Sequence, residues 1–223
     1  MASTHQFNVL IADSDAALTK MVSFALESQF WASTFEVNEP ASAADFVRTL
    51  TNLNLVIIGN AEEYHELLNY IVAERDTMQS ILCVQGKISD PTLFSSPGVL
   101  GMIKRESFLE DCVRIINEKI FSTDLISNQV EQDFCKLASE LLIQLSPLAA
   151  DIYIALNKEK YLKIFQKGDD FDKADLLKYA EKKKVKFFYV KKGDSTLFID
   201  TFSQKTQKML SANILTMTPP HHL

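Results

Sequence analysis

Apolar positions along this chain fall in short blocks, and the blocks alternate between two spacings. Phe7-Asn8-Val9-Leu10-Ile11-Ala12 is a nearly continuous apolar run closed by Asp13-Ser14-Asp15, and it predicts a buried strand. Leu18, Met21, Val22, Ala25 and Leu26 then recur at helical spacing, predicting a helix to about Gln29, with Asp13 or Ser14 as its cap. A second strand is expected over Trp31 to Val37. A helix opened by Pro40-Ala41-Ser42 follows, with Phe46, Val47 and Leu50 inward. Asn54-Leu55-Val56-Ile57-Ile58-Gly59-Asn60 stands out: an apolar core run stops abruptly at Gly-Asn, as a buried strand of a parallel sheet does. Tyr64, Leu67, Leu68, Ile71 and Val72 predict a helix from about Ala61 to Arg75. Ser80 to Val84 and Val99 to Ile103 predict strands four and five. Ser89-Asp90-Pro91 and Ser95-Ser96-Pro97-Gly98 break helices, so any helix between those strands is short or missing. Ser107 starts a last helix with Leu109, Val113, Ile116 and Ile120 inward. Strands alternating with helices give an α/β class: a doubly wound, five-stranded parallel sheet over residues 1–122.

The pattern changes after Ser122-Thr123-Asp124. Val130 to Leu145 fits either a helix or a strand plus a helix. Ala150 to Leu156 alternates as a strand. Asn157-Lys158-Glu159 is a turn, and Lys160 to Phe165 is the hairpin partner. A short helix capped near Asp172, a strand over Val185 to Val190 and a helix from Ser195 to Leu210 complete a second, smaller α+β domain at 123–215. Residues 216–223, with Pro219-Pro220, read as a disordered tail.

Charge supports that division. Net charge is −6, which argues against general nucleic-acid binding and gives no reason to expect DNA as a partner. Residues 1–123 hold 8 Lys+Arg against 16 Asp+Glu, whereas residues 124–223 hold 15 against 13, and those 15 are all Lys. Cys83, Cys112 and Cys135 are widely spaced and lack a CxxC pair, as expected of reduced thiols in a cytoplasmic protein, at least two of them buried. Met1 to Asn8 lacks the basic and apolar regions of a signal peptide, and no run has the length of a membrane span.

The residues quoted from the first half resemble a response-regulator receiver domain. Val9 to Asp15 resembles that family's first strand with its acidic cluster. Leu55-Val56-Ile57-Ile58 resembles the strand that leads to the phosphoacceptor aspartate. Gly98 to Lys104 resembles the approach to the family's lysine. The resemblance puts the phosphoacceptor position on Gly59, with Asn60 next. Ser14 falls between Asp13 and Asp15, the switch hydroxyl becomes Gln85, and the proline after Lys104 becomes Arg105. Receiver chemistry needs a carboxylate nucleophile and a carboxylate-held Mg²⁺. The expectation is therefore a pseudo-receiver, with Lys104 paired to Asp13 or Asp15 in a degenerate pocket; a residual ion pocket is the other reading.

Asp151 to Ile154, Lys160 to Phe165, Lys167-Gly168-Asp169, Leu177-Lys178-Tyr179 and Val185 to Val190 resemble a small α+β module of bacterial signalling proteins of the delta-proteobacterial type. There it accompanies HD-GYP-type or other cyclic-di-GMP output domains. Lys182, Lys183, Lys184 and Lys186 form either an anion patch or a solvated helix end. No Arg accompanies them, which weakens a cyclic-dinucleotide site. Tyr153, Tyr161, Phe165, Phe171, Phe187, Phe188 and Tyr189 read mainly as core, with a base-stacking platform as the lesser reading. Of the four His, His5, His221 and His222 fall in the chain ends and only His65 in a folded segment, and no phosphate loop or recognisable nucleophile motif is present.

The expectation is a non-enzymatic signalling adaptor without cofactor or metal. It would act through protein partners, including a cyclic-di-GMP signalling enzyme, or as a homodimer. The alternatives are a small-ligand or nucleotide sensor, or the regulatory front part of a longer cyclic-di-GMP enzyme.

Overall fold

The computed structural model describes residues 7–50, 52–74, 79–84, 98–121, 133–157, 160–179, 185 and 187–216. Five parallel strands run β2-β1-β3-β4-β5 across a sheet: β1 (Asn8–Ala12), β2 (Ser33–Val37), β3 (Leu55–Ile58), β4 (Gln79–Val84) and β5 (Val99–Lys104). This is the flavodoxin-like order of a doubly wound sheet. The second strand begins at Ser33 rather than Trp31, because Trp31 ends the preceding helix α1 (Ala16–Phe30) in a left-handed conformation, φ 51°. Helices α2 (Pro40–Thr49), α3 (His65–Glu74) and α4 (Phe108–Ile116) complete the layer. A short π turn, Asn117–Phe121, extends α4.

Alternation along β1 and β3 supplies two cores at once. Val9, Ile11, Leu55 and Ile57 face α1 and α4. Leu10, Ala12, Val56 and Ile58 face α2 and α3. Both faces are covered, so these strands read in sequence as unbroken apolar runs.

The second half forms an antiparallel sheet in the order β6-β9-β7-β8. Its strands are β6 (Phe134–Leu137), β7 (Ile152–Ala155), β8 (Tyr161–Phe165) and β9 (Phe188–Lys191), joined by α5 (Ser139–Gln144), α6 (Lys173–Leu177) and α7 (Ser195–Thr216). The ambiguous stretch before Pro147 is thus a strand followed by a helix. Asp172 caps α6 by accepting from the Asp175 N–H at 2.9 Å. The expected helix break between strands four and five, and the tail beyond Thr216, lie outside the described residues.

The second sheet does not stand apart. Leu137, Leu141, Ile152, Phe188, Val190, Phe198 and Phe202 join the core that contains α1 and α4. Phe24 of α1 meets Phe198 of α7 edge to face at 6.3 Å, and Lys20 reaches Glu140 at 3.3 Å. Helix α1 is therefore buried on two sides. Thr19, Ser23 and Ser28 are buried on it beside the expected apolar stripe. Their hydroxyls are satisfied locally: Thr19 donates to the Ala16 carbonyl and Ser28 to the Ala25 carbonyl, both at 3.1 Å, while Ser23 pairs with Thr34. Such self-contained hydrogen bonds let polar side chains sit in an apolar interface. Cys112 is buried in the same core, and Cys135 is half-buried, its thiol pushed up to about 11 chiefly by burial. The side chain of Cys83 lies outside the described ones.

A shared core predicts shared unfolding. Phe24→Ala removes an aromatic anchor of the junction, and its expected cost is ~3–5 kcal/mol. In urea, the fluorescence of Trp31, at the junction, and the far-UV circular dichroism should trace one coincident transition. Two separated transitions would show that the halves fold independently.

Candidate functional site at the carboxyl end of the parallel sheet

β1 and β3 end side by side, and the Gly59 N–H donates to the Ala12 carbonyl at 2.8 Å. The strand ends therefore place Asp13 beside Gly59. Asp13 is 1% exposed. A Cβ added at Gly59 would lie 1.6 Å from Asp13 Oδ2 and 2.4 Å from its Cγ. The Asp13 carboxylate thus fills the space that a side chain at 59 would use.

Four groups hold that carboxylate and its backbone. Arg105 engages both oxygens: Nη1 donates to Oδ2, and Nη2 donates to Oδ1 at 3.1 Å. The Asp15 N–H donates to Oδ1 at 2.7 Å. The Asn38 side-chain amide donates to the Asp13 carbonyl at 2.8 Å, and the Asp13 N–H donates to the Val37 carbonyl at 3.1 Å. Arg105 Nη2 also lies 3.4 Å from Asp15 Oδ2, and its guanidinium sits 5.8 Å from the centre of the Phe108 ring.

The expected Lys104 pairing is corrected by this geometry. Lys104 ends β5 with its side chain exposed, whereas Arg105 opens a short 3₁₀ turn, Arg105–Ser107, that carries its side chain back over the strand ends. A guanidinium offers a planar fork that matches both carboxylate oxygens, which an ammonium cannot. Lys104 instead contributes its field to Asp111. That carboxyl is held below its ordinary range: burial opposes the shift but is outweighed by hydrogen bonds from Ser107 and Arg114 and by charge from Arg114 and Lys104.

The other expected site residues take structural roles here. Asp15 caps α1, its Oδ1 accepting from the Ala17 and Leu18 N–H groups at 3.0 and 3.1 Å. Ser14 donates to Glu63 at 2.9 Å. Asn60 Oδ1 accepts from the Glu62 and Glu63 N–H groups at 3.2 and 3.4 Å, turning the chain toward α3. Tyr64 is buried beneath the site, and its hydroxyl donates to the Val37 carbonyl at 3.3 Å. Burial, and after it the nearby Asp13 charge, push its phenol well above the ordinary tyrosine range. Gln85 and the lysines at Lys182, Lys183, Lys184 and Lys186 lie outside the described residues.

The pocket does not fit a Mg²⁺ ion. One carboxylate is clamped by Arg105, the other caps a helix, and Gly59 supplies none. Among the described residues, no group of three or more His, Cys, Asp or Glu is arranged to hold a metal. None of the described helices is long and apolar enough to cross a membrane.

Sequence reasoning missed Arg105 as the partner. The signal was present: a buried aspartate requires a compensating cation, and Arg105 is a guanidinium just past the end of β5. Arg105→Ala should therefore cost about 3–5 kcal/mol by stranding Asp13, whereas Lys104→Ala should stay within about 0.5 kcal/mol. Urea denaturation of both variants checks this contrast, and equal losses would contradict it.

Several solved structures are similar to part of this chain. A CheY-like receiver domain protein from Methanospirillum hungatei is 18% identical, with a TM-score of 0.46, covering 52% of this chain and 95% of that one. A response regulator from Thermotoga maritima is 20% identical over 50% of this chain and 98% of that one, with a TM-score of 0.39. The RcsB response regulator of Salmonella typhimurium, from a study of DNA interaction, is 15% identical over 51% of this chain and 60% of its own, with a TM-score of 0.42. No protein-family model matches the chain, and neither does any curated protein. The doubly wound fold of residues 7–121 follows from its own strand order and direction.

Proposed function

We propose that this chain is a signalling regulator built on a receiver-like scaffold whose phosphoryl-transfer site has become a structural ion pair. The observation that carries the reading is the Asp13 carboxylate, held by Arg105 in the space beside Gly59. A phosphoacceptor needs an exposed carboxylate nucleophile and a bound Mg²⁺. Here the buried Asp13 carboxylate is clamped, and the position that would carry the nucleophile is glycine.

The chain then acts through its surfaces rather than through chemistry. One helical face of the parallel sheet, α1 with α4, is covered by the second sheet and α7. Docking of protein partners, or of a second copy, falls to the α2 and α3 side. Proximity to cyclic-di-GMP signalling rests on the sequence resemblance of the second half alone. The filled space at Gly59 counts against a ligand sensor working at that end of the sheet.

Incubation with acetyl phosphate and Mg²⁺, followed by intact-mass measurement, tests the reading. The expected result is an unchanged mass, together with a melting temperature unmoved by Mg²⁺ and beryllofluoride. A stoichiometric phosphoryl adduct would overturn it. Gly59→Asp should also fail to accept phosphate, because its side chain must displace Asp13. Calorimetry with cyclic-di-GMP should show no saturable heat, and tight binding would make the protein a receptor instead.

A further inference from the structure

The outward face of the antiparallel sheet has a composition unlike the rest of this acidic chain. Strand alternation points Leu137, Ile152, Ile154, Phe188 and Val190 into the shared core. The opposite set is Phe134, Lys136, Tyr153, Ala155, Tyr161, Lys163, Tyr189 and Lys191. It holds aromatic rings, lysines and one alanine, without an acid. The rings are half-buried, and the lysines are exposed.

The ladder interleaves the two kinds. Phe134 stands opposite Lys191, Lys136 opposite Tyr189, and Tyr153 opposite both Tyr189 and Lys163. The rings form one connected platform. Phe134 stacks on Tyr161 at 3.9 Å with 14° between planes, and meets Tyr153 edge-on at 5.0 Å. Tyr161 meets Tyr189 edge-on at 5.1 Å. Lys136 Nζ lies 3.5 Å from the centre of the Phe187 ring, and Phe187 itself is 43% exposed. Acids stand at the rim: Asp151 pairs with Lys163 at 3.1 Å, and Asp133 precedes β6.

We infer that this face binds single-stranded RNA, with unpaired bases on the rings and phosphates on Lys136 and Lys191. Half-exposed aromatic rings on a sheet surface suit stacking with unpaired bases, whose faces a duplex does not present. Lys136 and Lys191 complement phosphate, with Asp151 engaged by Lys163 at the rim, although the chain as a whole is −6. Three tyrosine hydroxyls at the same surface can meet 2′-hydroxyls, which favours RNA over DNA. With Lys as point charges and no Arg fork, recognition tolerates sequence.

The test uses the full chain and a fluorescent oligo(U) of about 12 nucleotides, read by anisotropy. Saturable binding should weaken with salt, with a log–log slope of about −1.4 for the two phosphate-binding lysines. Tyr161→Ala and Tyr189→Ala should each weaken binding roughly 5- to 100-fold. The doubly changed Lys136→Gln, Lys191→Gln protein should flatten the slope by about 1.4. Circular dichroism melts check that each variant folds, and the exposed lysines keep the test open if a tyrosine change unfolds the sheet. No binding of oligo(U) at low salt, or variants that bind as the parent does, would overturn the inference. Equal or tighter binding of oligo(dT) would overturn the RNA assignment. Preference for duplex RNA or for polyglutamate would point to charge alone and would also overturn it.

Discussion

The buried carboxylate of Asp13 is the constraint around which the end of the parallel sheet is arranged. At 1% exposure it has lost nearly all its water. An unpaired charge there would cost several kcal/mol. Arg105 meets that need with a two-pronged contact, the Asp15 N–H adds a third, and Asn38 holds the backbone behind it. Each partner comes from a different segment, so one neutralised charge ties together the ends of β1, β2 and β5. Glycine at 59 is the steric condition for it. Any larger residue would contend with the carboxylate for the same volume.

In the proposed regulator, that arrangement exchanges reactivity for fixed geometry. An open acidic pocket draws a metal and a phosphoryl group. A clamped one offers neither vacant coordination positions nor a free nucleophile. The two halves differ sharply in the surface they present. The α1 and α4 side of the first sheet is spent on an internal interface. The second sheet turns one apolar face to that same interface and an aromatic, lysine-bearing face to water.

The fold of the first half was legible because β1 and β3 carry a covered-strand signature and the helices repeat at regular spacing. The second half was legible as strands and turns, with the stretch before Pro147 left open until β6 paired with β9. The contact between the halves was not legible. Thr19, Ser23 and Ser28 make α1 look solvated beside its apolar stripe, yet all three are buried with their hydroxyls hydrogen-bonded. The candidate pocket was legible as to its members but not its pairing. Lys104 and Arg105 are adjacent, and sequence does not say which of them the 3₁₀ turn will swing over the strand ends. The aromatic set was split by strand parity: Phe188 went inward and Tyr189 outward.

Helix α1 has a practical consequence for anyone dissecting this molecule. A piece cut after Phe121 would keep every strand of the parallel sheet, yet would leave Phe24 without the aromatic cover of Phe198 on α7. Such a fragment would carry a wet apolar stripe along its first helix. Proteins captured on it would be reporting an amputation, because the surface they found is one the intact chain keeps for itself.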